Sequence, residues 1–217
     1  MKLSFFIAAA FLLVFAASPG FAFTADELAA KLQGAYDNTA DMTADFAQTT
    51  EVKAMLIKKE GSGTLLIRKP GMLRYTYTKP ERQEIIVRDE QLFMYTPSTR
   101  QAVRKSLDHA LMDKTPSTFL AGLGRITDTF SVRLPKTGDR DKKGGYTLEL
   151  VPKGDKMGIE KIALTLDPKT FLITAFSFTE ASGNTNTIRL ANIKTNVGVK
   201  STSFNFKLPE GTNVITE

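Results

Sequence analysis

The chain has 217 residues, no cysteine, one histidine and a formal net charge of +6, which excludes a disulfide framework and any chemistry that needs a cysteine nucleophile or a cysteine-held metal. A Ser-His-acid triad would have only His109 to use, the acidic residues are scattered through turns and strand edges, and no phosphate-cradling glycine loop is present. No enzymatic activity, metal or cofactor is expected.

At the start, Lys2 precedes an apolar run from Leu3 to Ala17 broken only by Ser4, followed by Ser18-Pro19-Gly20-Phe21-Ala22. A basic start, a short apolar segment, a Pro-Gly break and small residues before Phe23 make a secretory signal peptide. The run falls short of the roughly 18 to 20 residues that span a bilayer. The expected organisation is a signal peptide over 1–22 and one domain over 23–217, long enough for a substantial core. Export makes nucleic acid an unexpected partner, and the missing cysteine leaves no site for acylation. The basic surplus is compatible with ordinary solubility and with attraction to anionic lipid.

Thr24-Ala25-Asp26-Glu27 is a capping box. It opens a helix with Leu28, Leu32, Ala35 and Tyr36 on one face, ended by Asp37-Asn38. Met42 to Met55 then alternates as a strand, with Ala44 and Phe46 against Asp45 and Ala47. Next comes a hairpin, Thr64–Ile67 and Met72–Thr78, about a Lys69-Pro70-Gly71-Met72 turn read as type II, with Gly71 supplying the positive φ. Its second strand sorts Leu73, Tyr75 and Tyr77 to one face and Met72, Arg74 and Thr76 to the other.

Strands follow at Gln83–Arg88, Gln91–Thr96 and Gln101–Lys105. Ile85-Ile86-Val87 and Leu92-Phe93-Met94-Tyr95 are apolar on both faces, which marks a sheet covered on both sides or lining a cavity. Asp108 to Gly124 reads as a helical insertion, with Thr115 as cap, Pro116 at its first position and Gly122 and Gly124 closing it. Alternation resumes through Phe130 to Leu134, Tyr146 to Leu150, Ile162 to Leu166, Phe176 and Phe178, Ile188 and Leu190, and finally Phe204, Phe206 and Leu208. About eleven strands at regular spacing predict one large antiparallel sheet, strongly curved or closed.

The order of these elements resembles the LolA family of periplasmic outer-membrane lipoprotein carriers. The residues that carry the resemblance are Phe46-Ala47-Gln48, Gly63 to Tyr75, Leu92 to Tyr95 with Gln101-Ala102-Val103, Thr115-Pro116 with Leu120, Leu148 to Lys153, Ile188 to Asn192, and Phe204-Asn205-Phe206 with Leu208-Pro209. The resemblance covers nearly the whole chain after residue 22 and rests on order and spacing, since no single motif is diagnostic. It implies a mainly β fold, an unclosed half-barrel of about eleven antiparallel strands with a helical lid over its concave apolar face. It also implies a monomeric periplasmic chaperone that receives triacylated lipoproteins from an inner-membrane ABC transporter and passes them to an outer-membrane acceptor lipoprotein. A basic residue before the hairpin proline, often arginine in the family, would latch the lid. Here that residue is Lys69, with Arg68 beside it, and lysine lacks the planar fork of arginine.

On this reading the acyl chains would lie against Leu73, Tyr75, Tyr77, Met94, Phe176, Phe178 and Ile188 on strands and Phe119, Leu120 and Leu123 on the lid. Met42, Met55, Met72, Met94 and Met112 suit an adaptable surface, because an unbranched thioether repacks easily. The same half-barrel could serve a carrier or sensor of another lipid, and the sequence leaves that alternative open.

Overall fold

A computed structural model describes residues 23–106, 125–154 and 158–216. Helix α1 (Ala25–Asp37) leads into β1 (Asp41–Val52), a 3-10 turn at Lys53–Met55, β2 (Ile57–Arg68), β3 (Met72–Lys79), β4 (Gln83–Arg88), β5 (Gln91–Thr96) and β6 (Gln101–Ser106). A short helix α2 (Ile126–Thr129) begins the second part, followed by β7 (Phe130–Arg133), β8 (Tyr146–Pro152), β9 (Ile159–Leu166), β10 (Ile173–Glu180) and β11 (Thr185–Thr195). A 3-10 turn at Ser201–Phe204 and β12 (Asn213–Thr216) complete the described chain.

The twelve strands of the described residues join one sheet in the order β12-β6-β5-β4-β3-β2-β1-β11-β10-β9-β8-β7. Every pairing is antiparallel except that of β12 with β6. β12 and β7 stand at opposite ends of that order, so the sheet is unclosed. Local chemistry sets its corners. Thr24 accepts from the Glu27 amide at 3.2 Å while the Glu27 carboxylate accepts from the Thr24 amide at 2.8 Å, so the capping box forms as expected. Asp89 and Glu90 take φ of +50° and +60° in a two-residue hairpin loop, the backbone that matches strand twist. Between β2 and β3, Arg68 pairs with Met72, so the connection is the three-residue loop 69–71, with Gly71 at φ +70°.

The sheet departs from expectation in three places. The described residues form twelve strands, because Asn213–Thr216 adds to the edge of β6, a long-range parallel pairing with no hairpin signal. Phe204 to Leu208 is not a strand. Its first residue closes the 3-10 turn, and the segment lies on the outer face of β3–β5, where Phe204 and Ile86 are each 1 % exposed. Arg74 Nη1 donates to Ser203 O at 2.7 Å, and the Phe206 and Tyr95 rings lie 5.4 Å apart. This tail explains why β4 and β5 are apolar on both faces. Third, β1 stops at Val52, and Lys58-Lys59-Glu60 lies inside β2, giving a hairpin of twelve residues per strand. The expected helical insertion over 108–124 lies outside the described residues.

The core lies on the other face. Met42, Ala44, Phe46, Leu65, Ile67, Leu73 and Tyr75 from β1–β3 join Leu148, Leu150, Ile162, Leu164, Phe176 and Ile188 from β8–β11 in one cluster with Leu28, Leu32 and Tyr36 of α1. These strands are consecutive in the sheet, and α1 packs on β7 and β8 at one side while its last turn meets Lys69, just after β2, at the other, so the sheet curves around the helix. The inner face is concave, with α1 laid across it. Burying these side chains is the main favourable contribution to folding, at about 25 cal/mol per Å² of apolar surface.

Candidate functional site

Cross-strand register sorts the inner face into rows. Met42, Ile67, Leu73, Val87 and Leu92 form one; Ala44, Leu65, Tyr75, Ile85, Met94 and Val103 form the next; Phe46, Gly63, Tyr77 and Gln83 form a third. The rows are apolar beneath α1 and turn polar toward the β1–β2 hairpin tip. Tyr77 Oη donates to Gln48 Oε1 at 2.5 Å, Gln48 Nε2 to Thr50 Oγ1 at 3.3 Å, and Gln83 Nε2 to Thr96 Oγ1 at 3.1 Å. A groove of about 230 Å³ at this end is lined by Gln48, Thr50, Lys59, Tyr77 and Gln83 among others.

Two glycines shape this end. A Cβ on Gly63 would sit 1.9 Å from the Thr76 carbonyl oxygen, and one on Gly61 would sit 3.3 Å from the Tyr77 ring. Their bare backbone lets β3 approach and leaves room for the Tyr77 ring, which packs edge-on against Phe46 at 4.8 Å. Burial raises the Tyr77 hydroxyl above its ordinary range, so it stays protonated and able to donate at neutral pH.

The inner face divides by burial. Under α1 it is closed: Phe176 is 1 % exposed, and Ile188, Leu73 and Tyr75 belong to the same cluster. Toward β4–β6 it opens, and Tyr77, Ile85, Val87, Leu92, Met94 and Val103 are only half-buried. Phe178 is half-buried against the core from β10. The strand residues expected to meet acyl chains thus share one face, but Phe176 and Ile188 sit in its packed part, while Tyr77 and Met94 lie where it is open. Phe119, Leu120, Leu123 and His109 lie outside the described residues. Of the methionines, Met42 is core, Met72 faces outward beside Arg74, and Met55 is exposed at the hairpin tip. Ile85, Val87, Leu92 and Val103 extend the same rows beyond the set expected to meet acyl chains. Two-residue alternation carried across the Asp89-Glu90 turn was the available signal.

α1 is fastened at both ends. At its start, Phe23 packs against Tyr146 at 5.2 Å, and the Lys31 ammonium lies 5.0 and 4.9 Å from the Phe23 and Phe171 ring centres. At its end, Tyr36 Oη accepts from the Ile173 amide at 3.3 Å, and Lys69 Nζ donates to the Tyr36 carbonyl oxygen. Burial holds the Lys69 ammonium below its ordinary range, with Asp37 opposing. Arg68 does not share this position. Alternation turns it to the outer face, where its Nη1 donates to Val199 O at 2.7 Å, so it braces the segment after β11 rather than α1.

Residues 37–207 match the family model described as outer membrane lipoprotein carrier protein LolA. Outer-membrane lipoprotein carrier proteins of Methylococcus capsulatus and Azotobacter vinelandii are 26 % and 27 % identical over 187 and 182 residues. These matches cover 86 % and 83 % of this chain and 86 % and 84 % of those relatives. An uncharacterized conserved protein from Thermus thermophilus shares the fold, with a TM-score of 0.56 at 12 % identity over 89 % of this chain and 99 % of that one.

Proposed function

Because the chain belongs to the LolA family of outer membrane lipoprotein carrier proteins, we propose that it is a periplasmic chaperone that shelters lipoprotein acyl chains on its concave face during transfer to the outer membrane. One observation carries this reading: the inner face is apolar under α1, half-open along Val87, Leu92, Met94 and Val103, and polar at Gln48, Thr50 and Gln83. That gradient matches an amphiphile with buried chains and a head at the rim.

Each buried methylene is worth about 0.8 kcal/mol, so a chain of ~16 carbons left in water would cost roughly 12 kcal/mol. A carrier must replace most of that contact and still let go. Half-buried aliphatic and thioether side chains supply such contact without the rigidity of a sealed core. Cargo would arrive from an inner-membrane ABC transporter and leave to an outer-membrane acceptor, after export and removal of residues 1–22. The work is binding and release, with no bond made or broken.

A photo-crosslinker placed in turn at Met94, on the inner face, and at Phe93, its outward neighbour, tests this during expression in the host. Lipoprotein adducts at 94 and not at 93 are expected. Equal labelling at both positions, or none at 94, would remove the concave face as the carrier surface.

A further inference from the structure

Met55, Leu56 and Ile57 are 68 %, 94 % and 43 % exposed, and this one tripeptide supplies half of the exposed large hydrophobic side chains among the described residues. Leu56 holds φ +53° in the left-handed region, a position where turns ordinarily place glycine, asparagine or aspartate. Neither burial nor turn chemistry accounts for a leucine there. Lys53, Lys58 and Lys59 flank the tripeptide, and no acidic residue lies between Glu51 and Glu60. Lys58 is paired with Glu60 at 3.0 Å.

The tip also projects. The last pairing of β2 with β3 is Ser62 with Lys79, so Ile57–Gly61 extends beyond β3 with β1 alongside. By register, Val52 and Ile57 continue the face that carries Phe46, Gln48 and Thr50, and Lys59 and Thr50 line the groove at the polar rim. The exposed apolar residues therefore stand at the mouth of the concave face.

We propose that this tip is a membrane-contacting element: Met55, Leu56 and Ile57 enter the surface of a bilayer that contains anionic phospholipid, and the lysines meet its phosphates. An apolar point ringed by cations is complementary to acyl chains beneath anionic headgroups, since each part enters the layer of matching chemistry. Seated in this way, the tip turns the mouth of the concave face toward the lipid. The proposal goes beyond cargo binding, which involves a different surface.

The test is flotation of the processed protein, purified after export, with vesicles of phosphatidylethanolamine and phosphatidylglycerol. Wild type should float, and Leu56→Glu should reduce the partition coefficient about tenfold or more, while Val197→Glu, at an exposed valine elsewhere, should leave it unchanged. The chain has no tryptophan, so Leu56→Trp gives a single reporter whose emission should shift to the blue on adding vesicles. Failure of wild type to float, equal flotation of Leu56→Glu, equal loss in Val197→Glu, or an unshifted emission would each overturn the proposal. Binding of a fluorescent fatty acid by the same variants reads the concave face separately, so failure of the tip and failure of the carrier reading are distinguishable.

Discussion

The Lys69 ammonium donates to the carbonyl oxygen of Tyr36, tying the β2–β3 loop to the last turn of α1. α1 has no basic residue of its own in that turn, so Lys69 supplies a second donor to a carbonyl that already accepts from the Thr39 amide at 3.0 Å, and a cation at the negative end of the helix dipole. Lys69→Met should cost about 1 kcal/mol of stability and speed amide exchange over Ala35–Asp37. If the contact is also a latch on cargo, release of a bound acyl probe should accelerate, with Lys69→Arg restoring both. Unchanged exchange and unchanged release in Lys69→Met would remove Lys69 from that role.

Gly63 sits beside the register shift between β2 and β3. A methyl group there meets the Thr76 backbone oxygen at 1.9 Å, and backbone cannot move aside as a flexible side chain can. Gly63→Ala should destabilise by at least about 2 kcal/mol in urea unfolding, whereas Gly154→Ala, with open space around its Cβ position, should change stability by less than about 0.5 kcal/mol.

Phe204 anchors the tail to the outer face, opposite the proposed cargo surface. Phe204→Ala should cost about 3–5 kcal/mol and leave acyl-probe affinity unchanged under conditions where the variant is folded. A drop in affinity matching the drop in stability would show that the two faces are coupled.

Alkaline pH should unfold the protein through buried tyrosines. Burial raises the Tyr36 hydroxyl well above its ordinary value of 10.0 and raises Tyr77 as well, so the folded state holds these protons more tightly than the unfolded chain. Their contribution is fully present below about pH 10 and is lost as pH rises beyond it. Lys69, held below 10.5 by burial, acts in the opposite sense, raising stability with pH up to its unfolded value. The net decline should therefore steepen above about pH 10.5. Tyr36→Phe should flatten it, at the cost of leaving the Ile173 amide without its acceptor. Stability measured by urea unfolding from about pH 8 to 11 checks the sign.

Much of this architecture is legible in the amino-acid order because it depends on neighbours. The Thr24 to Glu27 box, the alternation of Leu73, Tyr75 and Tyr77, and the two-residue turn at Asp89-Glu90 each act within a few residues. What sequence reading misses depends on distant partners. Ile86 looks like a second apolar face until Phe204 is found covering it, and Asn213–Thr216 becomes a strand only because β6 offers an edge. Arg68 and Lys69 are adjacent in the chain, yet the end of β2 sends them to opposite faces, one to Val199 and one to Tyr36. Phe176 and Met94 fall on the same inner face, but only packing decides that the first is sealed and the second half-open.

Whether the concave face carries lipoprotein acyl chains is read out by native mass spectrometry with lipid extraction, on protein purified from the periplasm of its own host. A complex with a triacylated lipoprotein is expected, diminished in Met94→Glu, which puts a charge among the half-buried apolar rows. Recovery of free phospholipid alone, or a lipoprotein complex indifferent to Met94→Glu, would contradict it.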